Sequence, residues 1–159
     1  MDRKKEFVKN LKKAWRDEML SARNYRVLAE REQHPEKKAI LIRMAEAEDR
    51  HADRWAVRLR ELGVEVGTFH DTPIEKLQRI VLLKSSSEDA AQMLEAGESQ
   101  ADALYEKMIV AAEQGGAPSP ARAIASPTRC ESQEGLIARW LRTVRNSRRV
   151  VPLGGALRR

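Results

Sequence analysis

The sequence predicts an all-α protein, a helical bundle, on three observations. Charged residues make up 34% of the 159 residues and aromatics only 4%, the balance of long helices with solvated outer faces. Three long stretches place apolar residues three and four apart, the period of a helix with one buried face. Gly and Pro are scarce before residue 115, so little interrupts those stretches. A chain of this length is about one domain and can bury a core.

The elements follow in order. A first helix is predicted over about residues 3–32, with the stripe Val8, Leu11, Trp15, Glu18, Ala22, Tyr25 and Ala29 on one face. A second runs from Pro35, favoured in a first turn, to Leu62, where Gly63 is placed to end it. Its stripe is Leu41, Met44, Glu48, His51 and Trp55, flanked by Ala45, Ala52 and Leu59. Only Gln33 and His34 separate the two, which forces an antiparallel hairpin. Residues 64–87 read as a crossover containing a short helix over 74–84 capped by Thr72. Ser85-Ser86-Ser87 followed by Glu88-Asp89 starts a third long helix reaching about Glu113, with the stripe Ala91, Leu94, Glu98, Ala101, Tyr105, Met108 and Ala112. Gly115-Gly116 ends it. Beyond lie Pro118, Pro120, Pro127 and Pro152 and an irregular fourth helix over about 131–148. The expected organisation is a helical core over residues 1–114 and an atypical fourth helix with a basic tail over 115–159.

Composition narrows the function classes. No apolar run approaches the roughly 18 residues that span a bilayer, and Met1 to Glu6 is charged and carries no signal-peptide core, so a soluble, cytoplasmic protein is expected. A single cysteine, Cys130, excludes an internal disulfide framework and a CxxC pair. Residues 1–63 hold 17 basic against 12 acidic side chains, 64–117 hold 4 against 10, and 118–159 hold 9 against 2. The basic tail, with Arg139, Arg142, Arg145, Arg148 and Arg149, has no aromatic platform or recognised motif beside it. Nucleic acid is therefore not an expected partner, and an anionic membrane is the surface the tail could touch.

The chemistry lies in the stripes. Glu18, Glu48, His51 and Glu98 are ionisable residues at positions that should be apolar, and a carboxylate there must be paired, protonated or bound to metal. Height agrees with face. Glu18 lies roughly 15 residues before the centre of the hairpin turn and Glu48 and His51 roughly 14 and 17 after it, so at about 1.5 Å per residue the three share one level. Glu18 precedes Tyr25 by seven residues, as Glu98 precedes Tyr105, a weak internal repeat that ties the third helix to the first. Tyr25 and Tyr105 stand as the catalytic candidates. A carboxylate-rich site with one imidazole suits iron or manganese and differs from cysteine-rich structural zinc sites. Bundle proteins that hold two such ions take a Glu from each of two helices and a Glu-x-x-His from each of the other two. Three of these four contributions are present.

The stretches Asp17-Glu18-Met-Leu-Ser-Ala-Arg-Asn-Tyr25 and Ala45-Glu46-Ala-Glu48-Asp-Arg-His51-Ala-Asp-Arg-Trp55 resemble the ferritin-like domain of the rubrerythrin family. They look most like the version that precedes a vacuolar-iron-transporter-type membrane domain, and Gly97-Glu98 to Tyr105 resembles its third-helix motif. The hairpin is also similar to encapsulated ferritins, whose two-helix chains complete a di-iron site by dimerising. The resemblance covers about residues 4–113 and implies a ferritin-like four-helix bundle. It makes Glu18 and Glu98 terminal ligands, Glu48 a bridging ligand and His51 an iron ligand. Iron binding, with oxidation of Fe(II) or reduction of peroxide, is the implied activity, and manganese the alternative metal.

The sequence departs from that pattern at its fourth contribution. No histidine follows His70, and Glu113, the best counterpart of the missing glutamate, has Gly116 three residues on. Glu113 is nonetheless the fifth candidate ligand. A homodimer in which each chain donates Glu18, Glu48 and His51 would supply the second half-site. With neither a CxxC pair nor a membrane domain present, electron supply and iron transport are expected to come from elsewhere. The competing expectation is a degenerate bundle, an interaction or regulatory module whose stripe carboxylates persist as ion pairs with Arg50 or Arg54.

Overall fold

The computed structural model describes residues 3–86 and, beyond them, 89, 90, 92–94 and 96. Helix α1 spans Arg3–Arg31, α2 spans Pro35–Glu61 and α3 spans Pro73–Lys84, and no strand occurs among the described residues. The protein is all-helical, as its charge balance and periodicity predict. No described helix is long and apolar enough to cross a membrane.

α1 and α2 form the antiparallel hairpin. His34, in extended conformation, precedes Pro35 in the first turn of α2, and the Lys38 amide donates to the His34 carbonyl at 3.0 Å to begin the ladder. The facing stripes are rich in alanine, with Ala14, Ala22, Ala29, Ala45, Ala47 and Ala52 all buried, and small side chains let the two backbones approach. One detail departs from the expected stripe. Ala14 is fully buried against α2, while Trp15 is half-buried at the edge of the same apolar cluster and also meets Phe69 edge-on, ring centres 6.3 Å apart. The seven-residue pattern drifts against 3.6 residues per turn, so near its start α1 presents the small residue inward and the large one sideways.

Apolar packing falls into two clusters. Toward the turn, Tyr25, Ala29, Ile40, Leu41, Met44 and Ala45 pack with Leu82 of α3 and Ala90. Toward the open end, Leu11, Ala14, Trp55 and Leu59 pack together, joined by Phe7, Val8, Leu62, Val64 and Val66. Between them lies a layer that is not apolar, formed by Glu18, Glu48 and His51.

α2 stops where Gly63 predicts. Gly63 has φ +74, its amide donates to Arg60 O at 2.9 Å, and the Val64 amide donates to Leu59 O at 2.9 Å. This pair of bonds satisfies the last carbonyls of α2, and Val64 packs on the cluster containing Leu59. An added Cβ at Gly63 would meet nothing within 4 Å, so the cost of Gly63→Ala is conformational alone. It should destabilise by about 1 kcal/mol, seen as a lower urea midpoint at unchanged slope.

The segment from Val64 to Thr72 crosses the outer side of α1. Phe69 is buried there between two guanidiniums, with Arg16 and Arg23 each 5.1 Å from its ring centre. The same two arginines hold the entry to α3. Arg16 pairs with Glu75 and donates to the His70 carbonyl at 2.9 Å, while Arg23 reaches Asp71 at 2.7 Å, where Arg79 joins it at 2.5 Å. Thr72 caps α3 as expected: its hydroxyl accepts from the Glu75 amide at 3.3 Å, and its own amide donates to the Glu75 carboxylate at 2.6 Å.

Burial alone would raise the Asp71 carboxyl pKa, but Arg79 and Arg23 outweigh it and hold the group below its ordinary value. Glu75 is lowered likewise, burial being overcome by the Thr72 backbone and hydroxyl and by Arg16. A depressed folded pKa contributes stability above the unfolded value, near 4, and loses it as pH falls through the folded value. Asp71→Asn should therefore cost about 1.5–3 kcal/mol at pH 7, and the gap to the unsubstituted protein should close below roughly pH 4 in pH-dependent urea unfolding.

Ser86 begins the next helical segment. Its hydroxyl accepts from the Asp89 amide at 3.1 Å, its carbonyl accepts from Ala90 N at 2.9 Å, and residues 89, 90, 92–94 and 96 are helical. The expected continuation to Glu113, with Glu98, Tyr105 and Glu113 itself, lies outside the described residues. So do the irregular fourth helix, Cys130 and the basic tail.

Candidate metal centre

Each residue of the polar layer arrives on a long helix whose apolar stripe continues on both sides. On α1, Glu18 stands between Ala14 and Ala22; on α2, Glu48 and His51 stand between Met44 and Trp55. All three are buried, at 5%, 1% and 6% exposure. Hydrophobic packing of the flanking residues thus fixes helix rotation, and rotation carries the ionisable groups inward.

The hairpin brings them together. One ligand atom of each lies within 4.8 Å of the others. His51 Nδ1 is 3.2 Å from Glu48 Oε2 and 3.8 Å from Glu18 Oε2, so one ring nitrogen faces both carboxylates. Glu18 Oε1 accepts a hydrogen bond from the Trp55 indole at 3.3 Å. The shared level predicted from the hairpin count is met.

The donor set fits a divalent metal of the iron and manganese kind. Two carboxylates held this close repel one another in a poorly hydrated layer, and a cation between them removes that cost. The imidazole offers a nitrogen to the same space, and the described donors are oxygen and nitrogen, unlike the cysteine-rich sets of structural zinc sites. Tyr25, the described catalytic candidate, lies two turns along α1 from Glu18 and is 1% exposed within the cluster nearer the turn. Glu98, Tyr105 and Glu113 are outside the described residues, so the structure assembles Glu18, Glu48 and His51 of the five candidate ligands. Arg50 and Arg54, the partners expected for a degenerate bundle, are exposed, while His51 contacts Glu48 and Trp55 donates to Glu18 inside the layer.

Sequence reasoning missed two contributors. Trp55 was legible as an apolar stripe residue but not as a donor to Glu18, although a buried indole N–H requires an acceptor and the facing stripe of α1 carries one. The clamp of Arg16 and Arg23 on Phe69 left no periodic signal, because its partner is a lone aromatic in an irregular crossover.

Neither a curated protein nor a solved structure matches the chain. The family model described as rubrerythrin matches residues 9–135, which takes in nearly all of the hairpin, the crossover and all three residues of the buried layer. Matched over most of its length and carrying the Glu, Glu and His layer that its helices set face to face, the chain belongs to the rubrerythrin family.

Proposed function

We propose that the protein is a non-haem di-iron carboxylate protein that binds iron and oxidises Fe(II) or reduces peroxide. The observation that carries the reading is the convergence of Glu18, Glu48 and His51, buried and within 4.8 Å of one another. Glu18 and Glu48 would hold and neutralise bound cations, and His51 presents Nδ1 to the same space. Glu98 is assigned as a further ligand on its stripe position and on resemblance, Glu113 as the best counterpart of the missing glutamate, and Tyr25 and Tyr105 as the redox-active side chains. Bound iron supplies one-electron chemistry toward oxygen or peroxide. The chain's part is to hold the ions in a dry layer sealed by the two apolar clusters, so that charge on the ligands acts at low dielectric.

A homodimer completes this reading. The sequence lacks a second Glu-x-x-His, and a twofold pairing that set two copies of the layer together would supply it. A cytoplasmic setting belongs to the reading, and the single Cys130 suits it.

Anaerobic Fe(II) titration with solution mass tests the reading. Uptake of about one or two Fe per chain is expected, abolished by Glu48→Ala. No uptake, or a Glu48→Ala protein that behaves identically, would overturn it and leave the degenerate bundle.

A further inference from the structure

Trp55 lies one turn beyond His51 on the buried stripe of α2 and is 8% exposed, in contact with the cluster of Leu11, Ala14 and Leu59. An indole nitrogen donates and cannot accept, so at this depth it fixes the position of whatever acceptor it finds. It donates to Glu18 Oε1 at 3.3 Å, while the other oxygen, Oε2, is the one 3.8 Å from His51 Nδ1. The two oxygens of one carboxylate are thereby divided: one is engaged by the indole and one is turned into the cluster. We propose that Trp55 is a positioning residue that holds Glu18 as a one-oxygen ligand, presenting Oε2 to the metal and withholding Oε1.

The proposal rests on the metal-binding reading above and deepens it. A carboxylate free to rotate about its last bond can swing between one-oxygen and two-oxygen binding, and the indole removes that freedom before the metal arrives. Because the donor is uncharged, the carboxylate keeps its full negative charge for the cation. Because the ring is anchored among Leu11, Ala14 and Leu59, the arrangement is set by packing. The consequence is selective. One-oxygen carboxylate and imidazole donors suit iron, manganese and cobalt, whereas calcium takes six to eight oxygens and commonly uses both of a carboxylate.

Co(II) is the probe, because its visible absorption reports coordination geometry without turnover. The unsubstituted protein should bind Co(II), and Trp55→Phe should bind it about 10–100-fold more weakly with an altered visible spectrum, while its far-UV circular dichroism is unchanged. Calcium in excess should displace no cobalt from the unsubstituted protein. A Trp55→Phe protein with the same affinity and the same spectrum would overturn the positioning role and leave metal binding intact. An unsubstituted protein that takes up no Co(II) would instead overturn the metal reading, and this one with it. Should Trp55→Phe not fold, the Trp15→Phe/Trp140→Phe protein leaves Trp55 as its one tryptophan. Its indole N–H resonance should exchange slowly and move on Zn(II) addition; a freely exchanging or unmoved resonance counts against the proposal.

Discussion

Glu48→Gln should raise the stability of the metal-free protein and abolish its response to metal. Glu48 is 1% exposed and shares its layer with Glu18, so two carboxylates are kept within 4.8 Å of each other away from water. Replacing one by an isosteric amide removes the repulsion while the amide oxygen can still face His51, 3.2 Å from the present carboxylate oxygen. Two carboxylates sharing one dry site disfavour each other's charged form, so removing one of the charges should stabilise by on the order of 1 kcal/mol. Metal reverses the ranking. At free Fe(II) or Mn(II) about 100-fold above its dissociation constant, the unsubstituted protein should gain about 2.7 kcal/mol, roughly 5–10 °C in melting temperature for a domain of this size. The Gln variant should gain none. Thermal unfolding of both proteins with and without Mn(II) reads all four states. A variant less stable than the parent without metal, or equally responsive to it, would contradict the account. The expected crossing of the two stability orders is the signature of a layer kept for binding at a cost to folding.

What the sequence made legible was whatever repeats. The α1 and α2 stripes, Pro35, Gly63 and Thr72 are each local signals, and the helices begin and end within a residue or two of where these place them. The meeting of Glu18 with Glu48 and His51 was legible for a further reason: a two-residue loop converts sequence distance into height, so that face and level could be read independently. Trp15 and Trp55 show where such reading stops. Both sit on the stripe by count, yet Trp15 turns aside to Phe69 and Trp55 spends its N–H on Glu18. Those choices depend on the neighbouring element's surface, which periodicity within one helix does not encode. The crossover was legible as an element but its contacts were hidden for the same reason, since Phe69, Asp71 and Glu75 acquire meaning only against Arg16 and Arg23 on α1.

Because the buried layer divides the core, cavities on its two sides should act independently, and metal should compensate each to the same degree. Leu41, 1% exposed, belongs to the cluster nearer the turn; Leu59, 0% exposed, belongs to the one at the open end. Truncating either to alanine should cost about 2–5 kcal/mol, the loss of transfer energy plus an unfilled void. The two sites are 18 residues apart on α2, about 27 Å, and among the described residues the two clusters share no member. Their costs should accordingly add to within about 0.5 kcal/mol. The double variant would then consume most of the 5–15 kcal/mol that holds a domain of this kind together, and it should be largely unfolded at ambient temperature without metal. On the proposed reading Mn(II) binds the folded state alone, through Glu18, Glu48 and His51, and it should then return the same increment to the parent and to each single variant. Urea unfolding of the parent, both singles and the double, each with and without Mn(II), measures additivity and metal response together. If Leu59→Ala alone lost the metal increment, the disturbance would have passed through Trp55 to Glu18, and the open-end cluster would be part of the site's support instead of an independent half of the core.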